Sequence, residues 1–205
     1  MKKNVIDLVS ENTDSVLSLL LEDSILGELP LIGNIVTAFR LKKDVSNALF
    51  SKKLESFLNH LKTNGINNKP LDIKDIKKLD TISINMSLII DNANSIDKPR
   101  WLAEAFISLN NGIITLDIFE RVIYAIDIFS PALIKPLLSC YSHKAKPFDL
   151  TQSHKRGKEH YEELANLGLL RRDFKLNALN NELKVSYETT NLGAALAQII
   201  TKSGL

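Results

Sequence analysis

Residues 182–189 of this 205-residue chain, Glu-Leu-Lys-Val-Ser-Tyr-Glu-Thr, alternate apolar and polar side chains, while the apolar residues of the earlier chain recur at three- and four-residue steps. A period of two is the mark of a half-buried strand. It places Leu183, Val185 and Tyr187 on one face and Glu182, Lys184, Ser186 and Glu188 on the other. The segment Leu169 to Leu176 precedes it, and Asn177-Ala178-Leu179-Asn180-Asn181 supplies a turn, so the pair reads as one β-hairpin. A lone hairpin is barely stable in water and must lie on something else. Here only helices are available to support it, and the chain reads as mainly α.

Helical periodicity fills the first two-thirds. A first amphipathic helix is expected over Val5 to Leu21. After Gly27-Glu28-Leu29-Pro30, a second is expected from about Ile32 to Leu61, carrying Val36, Phe39, Val45, Leu49, Phe57, Leu58 and Leu61 as its apolar stripe. Lys42, Lys43, Lys52 and Lys53 fall between these residues and read as a solvated basic face. The turn-rich Asn64 to Pro70 separates this helix from a third over Asp72 to Asn94, with a stripe of Ile73, Ile76, Leu79, Ile82, Met86, Ile89 and Ile90. Asp97 is expected to cap the next helix, which has Pro99 in its first turn and ends at Asn110-Asn111-Gly112; Trp101, the single tryptophan, reads as a core anchor. Thr115 to Phe129 forms a further helix, and Ser130-Pro131 starts one that reaches about Tyr141. A helix from about Thr151 to Leu167 ends at Gly168, and Thr190 or Asn191 caps a last one, Leu192 to Ile200. The expected architecture is an N-terminal helical bundle over residues 1–112, followed by a second domain over residues 113–205 that carries the hairpin.

Composition narrows the function classes. Apolar residues make up 44% and charged residues 24%, which excludes a disordered chain, and 26 basic against 24 acidic residues leave +2, no argument for a polyanionic partner. Cys140 is the one cysteine, so no intrachain disulfide forms and a reducing cytoplasm is expected. Met1-Lys2-Lys3-Asn4 is followed by Asp7, Glu11 and Asp14, which does not read as a secretory signal. The most hydrophobic stretch, residues 16–39, is interrupted by Glu22, Asp23, Glu28, Pro30 and Gly33 and falls short of the ~20 apolar residues that span a bilayer. It reads as a buried helical hairpin, or else as a segment that meets a membrane surface or a second copy through Leu29, Leu31, Ile32, Ile35, Val36 and Phe39.

The inventory of catalytic and metal-binding patterns is nearly empty. Setting Gly112 at position six of a calcium loop puts Ile107, Leu109 and Ile118 where oxygen ligands belong. Cys140 and His143 have a usable metal spacing, but His154 and His160 fall on different faces of one helix, and no third group orients the first pair as a nucleophilic dyad. The eight glycines are scattered and form no phosphate-cradling loop. Asp72, Asp75 and Asp80 beside Lys74, Lys77 and Lys78 read as a solvated helix face. No enzyme, metal or cofactor is expected.

Tyr161-Glu162-Glu163-Leu164-Ala165-Asn166-Leu167-Gly168-Leu169-Leu170, then the hairpin, then Thr190-Asn191-Leu192-Gly193 resemble the winged helix-turn-helix superfamily over about Leu116 to Thr201. The resemblance implies a third helix that docks on DNA or protein, with the hairpin as its wing. The contact residues it implies are Gln152, His154, Lys155, Arg156, Lys158, Arg171, Arg172 and Lys175; residues 142–175 hold eight basic and five acidic side chains, or +3. Facing Tyr161, Leu164 and Leu167 to the core turns Glu159, Glu162 and Glu163 outward, against a phosphate field. Glu28 to Val36, Leu49 to Leu54 with Phe57-Leu58, Ile96 to Pro99 and Gly112 to Phe119 are similar to a group of small bacterial helical proteins, some tied to phage defence or stress. The expected function is a regulatory or adaptor protein acting by binding, to DNA or to a protein partner or second copy. A membrane-active helical effector is the alternative.

Overall fold

A computed structural model describes residues 32–35, 37, 48–64, 76–142, 158–177 and 182–204. The chain is mainly helical, with one two-stranded antiparallel sheet near its C-terminus among the described residues. Its elements are α1 (Ala48–Asn64), α2 (Ile76–Asn92), α3 (Asp97–Asn110), α4 (Leu116–Ile128), a 3-10 turn (Pro131–Leu133), α5 (Ile134–Tyr141), α6 (Lys158–Asn166), β1 (Leu170–Asn177), β2 (Glu182–Thr189) and α7 (Asn191–Lys202). Residues 32–35 and 37 are also helical. Two compact units divide the chain between Ile123 and Tyr124, inside α4.

In the first unit α3 is the central element. Residues 98–109 except Arg100 are all buried, the polar Lys98, Glu104 and Ser108 among them. Trp101 and Phe106 are fully enclosed, as are Leu54, Phe57, Leu58 and Leu61 on α1. Ile82, Met86, Ile89 and Ile90 of the α2 stripe are buried, and Leu79 is half-buried. Polar contacts fix the direction of the helices. Arg100 Nε donates to Ser56 Oγ at 3.2 Å, and one turn on, His60 Nε2 meets Glu104 Oε2 at 3.1 Å. Because both positions advance together, α1 and α3 run parallel, and α2 is the return element between them.

Two local expectations are corrected here. Asp97 is the first helical residue, not the cap; Ile96 precedes it in helical conformation, and Ser95 Oγ accepts from the Asp97 N–H at 3.3 Å. Asp97 still favours the helix through its carboxylate in the first turn. Lys53 does not join a solvated face with the exposed Lys52. It is 3% exposed, and its Nζ donates to the Asp91 carbonyl at 2.8 Å, satisfying an acceptor in the last turn of α2. Lys42 and Lys43 lie outside the described residues. The α3 helix ends as its sequence indicates: Gly112 takes φ +69°, and Asn111, Gly112 and Ile113 N–H groups donate back to Ile107, Leu109 and Ser108 carbonyls.

In the second unit, Ser130 Oγ accepts from Ala132 N and Pro131 opens the 3-10 turn that leads into α5. The hairpin register pairs Leu170 with Thr189, Arg172 with Tyr187 and Phe174 with Val185. Thr190 caps α7, its hydroxyl accepting from Gly193 N at 3.0 Å. Helical segments, a hairpin and a closing helix in this order are compatible with a winged-helix-like arrangement. No single helix among the described residues is long and apolar enough to cross a membrane.

Candidate interaction surface on helix α6 and the hairpin

Strand alternation sorts the hairpin into two faces. Leu170, Arg172 and Phe174 share one with Val185, Tyr187 and Thr189; Arg171 and Asp173 share the other with Ser186 and Glu188. On the first face, burial changes along the strands. Leu170 and Tyr187 are each 4% exposed, Val185 is half-buried, and Phe174 is 59% exposed. Burial on this face thus falls from Leu170 and Tyr187 to a mostly exposed Phe174.

Helix α6 anchors the base of the hairpin. Leu164 is fully buried, while Glu159, His160 and Glu163 are exposed. Glu162, expected to face outward with Glu159 and Glu163, ties helix to hairpin. Its Oε2 accepts from Arg172 Nε at 2.8 Å, its Oε1 accepts from the Tyr187 hydroxyl, and Arg172 also donates to Asn166 Oδ1. The Tyr161 and Tyr187 rings lie 5.9 Å apart between centroids, tilted by 35°. Burial, then the Glu162 carboxylate, push the Tyr187 phenol up to about 12, with Arg172 opposing. Burial likewise raises Tyr161 and Tyr141.

The expected binding residues divide accordingly. Arg172 is half-buried and held by Glu162 and Asn166; Arg171, whose side chain is 72% exposed, forms a cross-strand pair with Glu188. Lys158 opens α6, and Lys175 stands opposite Lys184 in the register. Gln152, His154, Lys155 and Arg156 lie outside the described residues, as do Leu29, Leu31, Val36 and Phe39 of the apolar segment. Ile32 and Ile35 of that segment are buried within the chain itself, at 0% and 1% exposure. The sequence shows where the +3 originates: Lys144, Lys146, Lys155 and Arg156 against Asp149 account for all of it, whereas residues 158–175 hold four basic and four acidic side chains.

Phe174 escaped the sequence reading. Its alternation with Leu170 was legible, but a period of two cannot tell how far a core extends beneath a strand. The other unforeseen pair is His60 with Glu104, whose side chains are 10% and 5% exposed; Asn64 Nδ2 approaches the same imidazole nitrogen at 3.1 Å. A histidine–carboxylate pair is one part of a general-base constellation. It lies between two packed helices, however, and no group of three or more His, Cys, Asp or Glu among the described residues is placed to hold a metal ion. Cys140 is raised to about 11 by burial, the opposite of an activated nucleophile.

Compared with protein-family models, with curated proteins and with solved structures, the chain matches none.

Proposed function

We propose that this chain is a non-enzymatic adaptor that docks an apolar segment of a protein partner through its winged-helix-like unit, with Phe174 as the anchor. The observation that carries this reading is the 59% exposure of Phe174 on a hairpin whose base is locked to α6. An aromatic ring buries a large apolar area on docking, and such residues are enriched at the centres of interfaces. The neighbouring charges favour protein over DNA. Phosphate attraction supplies much of ordinary DNA affinity, and here Arg171 and Arg172 are engaged by Glu188 and Glu162 while Glu159 and Glu163 face solvent.

Site-specific photocrosslinking tests the reading. A benzoylphenylalanine at position 174 is expected to trap a discrete protein in the native cell, and one at the exposed Lys202 of α7 is not. The DNA reading has its own outcome. Anisotropy titrations with duplex DNA at low and raised salt are expected to show no tight complex. Tight binding lost on Lys155→Glu with Arg156→Glu, and untouched by Phe174→Ser, overturns the proposal in favour of DNA.

A further inference from the structure

The contacts between α6 and the hairpin follow one another round the helix. The Tyr161 ring faces Tyr187 of β2, the Glu162 carboxylate meets both Tyr187 and Arg172 of β1, and Asn166 Oδ1 accepts from Arg172. At about 100° per residue these three positions step round α6 from the β2 side to the β1 side, and the next in the same direction are Glu159 and Glu163, about 20° and 60° beyond Asn166. They flank the outer edge of β1. Both are exposed, and neither carboxylate has an ion-pair partner among the described residues. Spaced i, i+4 on a nine-residue helix, the two repel each other, and a cation set between them relieves the repulsion. Phe174 approaches the same place. Leu169 N donates to the Leu164 carbonyl at 2.9 Å and Arg172 Nη2 to the Glu162 carbonyl at 3.4 Å, so β1 runs back along α6 toward its start. Two residues past Arg172 on the same strand face, Phe174 is carried about 7 Å further toward the first turn of α6, where Glu159 stands.

Given the docking role proposed for Phe174, on which this rests, we infer that the partner segment is basic. It lies along the outer edge of β1, with an apolar side chain against Phe174 and lysines or arginines on Glu159 and Glu163. Charge complementarity selects it. An acidic or phosphorylated segment would meet two unpaired carboxylates, and an uncharged one would leave their mutual repulsion in place. The hairpin arginines do not change that sign. Arg172 is held by Glu162 and Asn166, and Arg171 lies on the opposite strand face, paired with Glu188. Exposed charges at the rim of an apolar contact act on partner choice and rate of encounter more than on affinity. The glutamate pair therefore sets selectivity, while Phe174 supplies the apolar area that docking buries.

Panning a phage-displayed library of random dodecapeptides against the immobilised full chain tests it. Peptides whose binding is lost on Phe174→Ser are expected to carry an apolar residue and at least two lysines or arginines. For synthetic copies followed by fluorescence anisotropy, Glu159→Gln with Glu163→Gln is expected to weaken binding by roughly fivefold at low salt, an effect that shrinks as salt is raised. Both side chains are exposed, so this variant is expected to keep the circular dichroism spectrum of the parent. The reversed pair, Glu159→Lys with Glu163→Lys, is expected to select acidic peptides instead. Peptides that require Phe174 but show no excess of basic residues, or that bind the glutamine variant as tightly as the parent, overturn the inference and leave docking at Phe174 standing. A library that yields no peptide lost on Phe174→Ser overturns the docking role and the inference with it.

Discussion

Tyr141 and Gly193 approach so closely that a Cβ on residue 193 would lie 2.0 Å from the tyrosine hydroxyl and 2.2 Å from the Leu169 carbonyl oxygen. The hydroxyl donates to that carbonyl and accepts from Thr190 N at 2.9 Å, while Thr190 Oγ1 reaches the Gly168 carbonyl at 2.9 Å. One contact thereby joins α5, the turn before β1 and the start of α7. A helical Gly→Ala change ordinarily stabilises by up to ~1 kcal/mol. Gly193→Ala is expected to reverse that sign and cost at least ~3 kcal/mol, because backbone must move to admit the methyl. Tyr141→Phe keeps the ring but leaves the Thr190 N–H without its acceptor, for a loss of about 1–3 kcal/mol. Urea unfolding of both variants checks the order.

His60 and Glu104 are nearly enclosed, so removing one leaves the other buried without its partner. His60→Ala is expected to destabilise the chain by about 3 kcal/mol, toward the lower end for broken buried pairs. Glu104→Gln retains an acceptor for the imidazole and removes the charge, and is expected to cost less. Thermal unfolding that ranks Glu104→Gln below His60→Ala contradicts this account.

The Tyr187 phenol stands at about 12 in the fold against an ordinary value of 10. The folded chain therefore holds a proton that the unfolded chain releases first. Stability from this group is intact below pH 10 and is lost as pH rises toward 12, because the unfolded state binds fewer protons across that window. In a spectrophotometric titration, Tyr187→Phe is expected to delete the highest-pH phenolate transition. It is also expected to flatten the alkaline fall in unfolding free energy.

Cys140 sits at about 11, raised from 9.0 by burial, so the folded chain presents little thiolate at neutral pH. Alkylation by iodoacetamide is expected to be more than tenfold slower in the native protein than in denaturant, since the thiolate is the nucleophile. Equal rates in the two conditions would contradict the burial that the fold gives this residue.

Local structure was the legible part of this protein. The period of two over 182–189 identified β2 to the residue, and Ser130, Thr190 and Gly112 marked element ends through cap and turn chemistry that acts within four positions along the chain. Such signals depend on neighbours in sequence, and the sequence contains them all. What each polar residue meets across space was decided only by packing. Lys53 and Lys52 are adjacent, yet one caps α2 and the other faces solvent, because the C-terminus of α2 lies over one and not the other. Glu162 and Glu163 are adjacent as well, and only the first lies beneath Arg172 and Tyr187. Phe174 continues the face that buries Leu170, yet it is mostly exposed where Leu170 is enclosed. Periodicity determined which residues share a face; the tertiary fold determined where each face ended, since burial and pairing depend on groups brought together from distant parts of the chain.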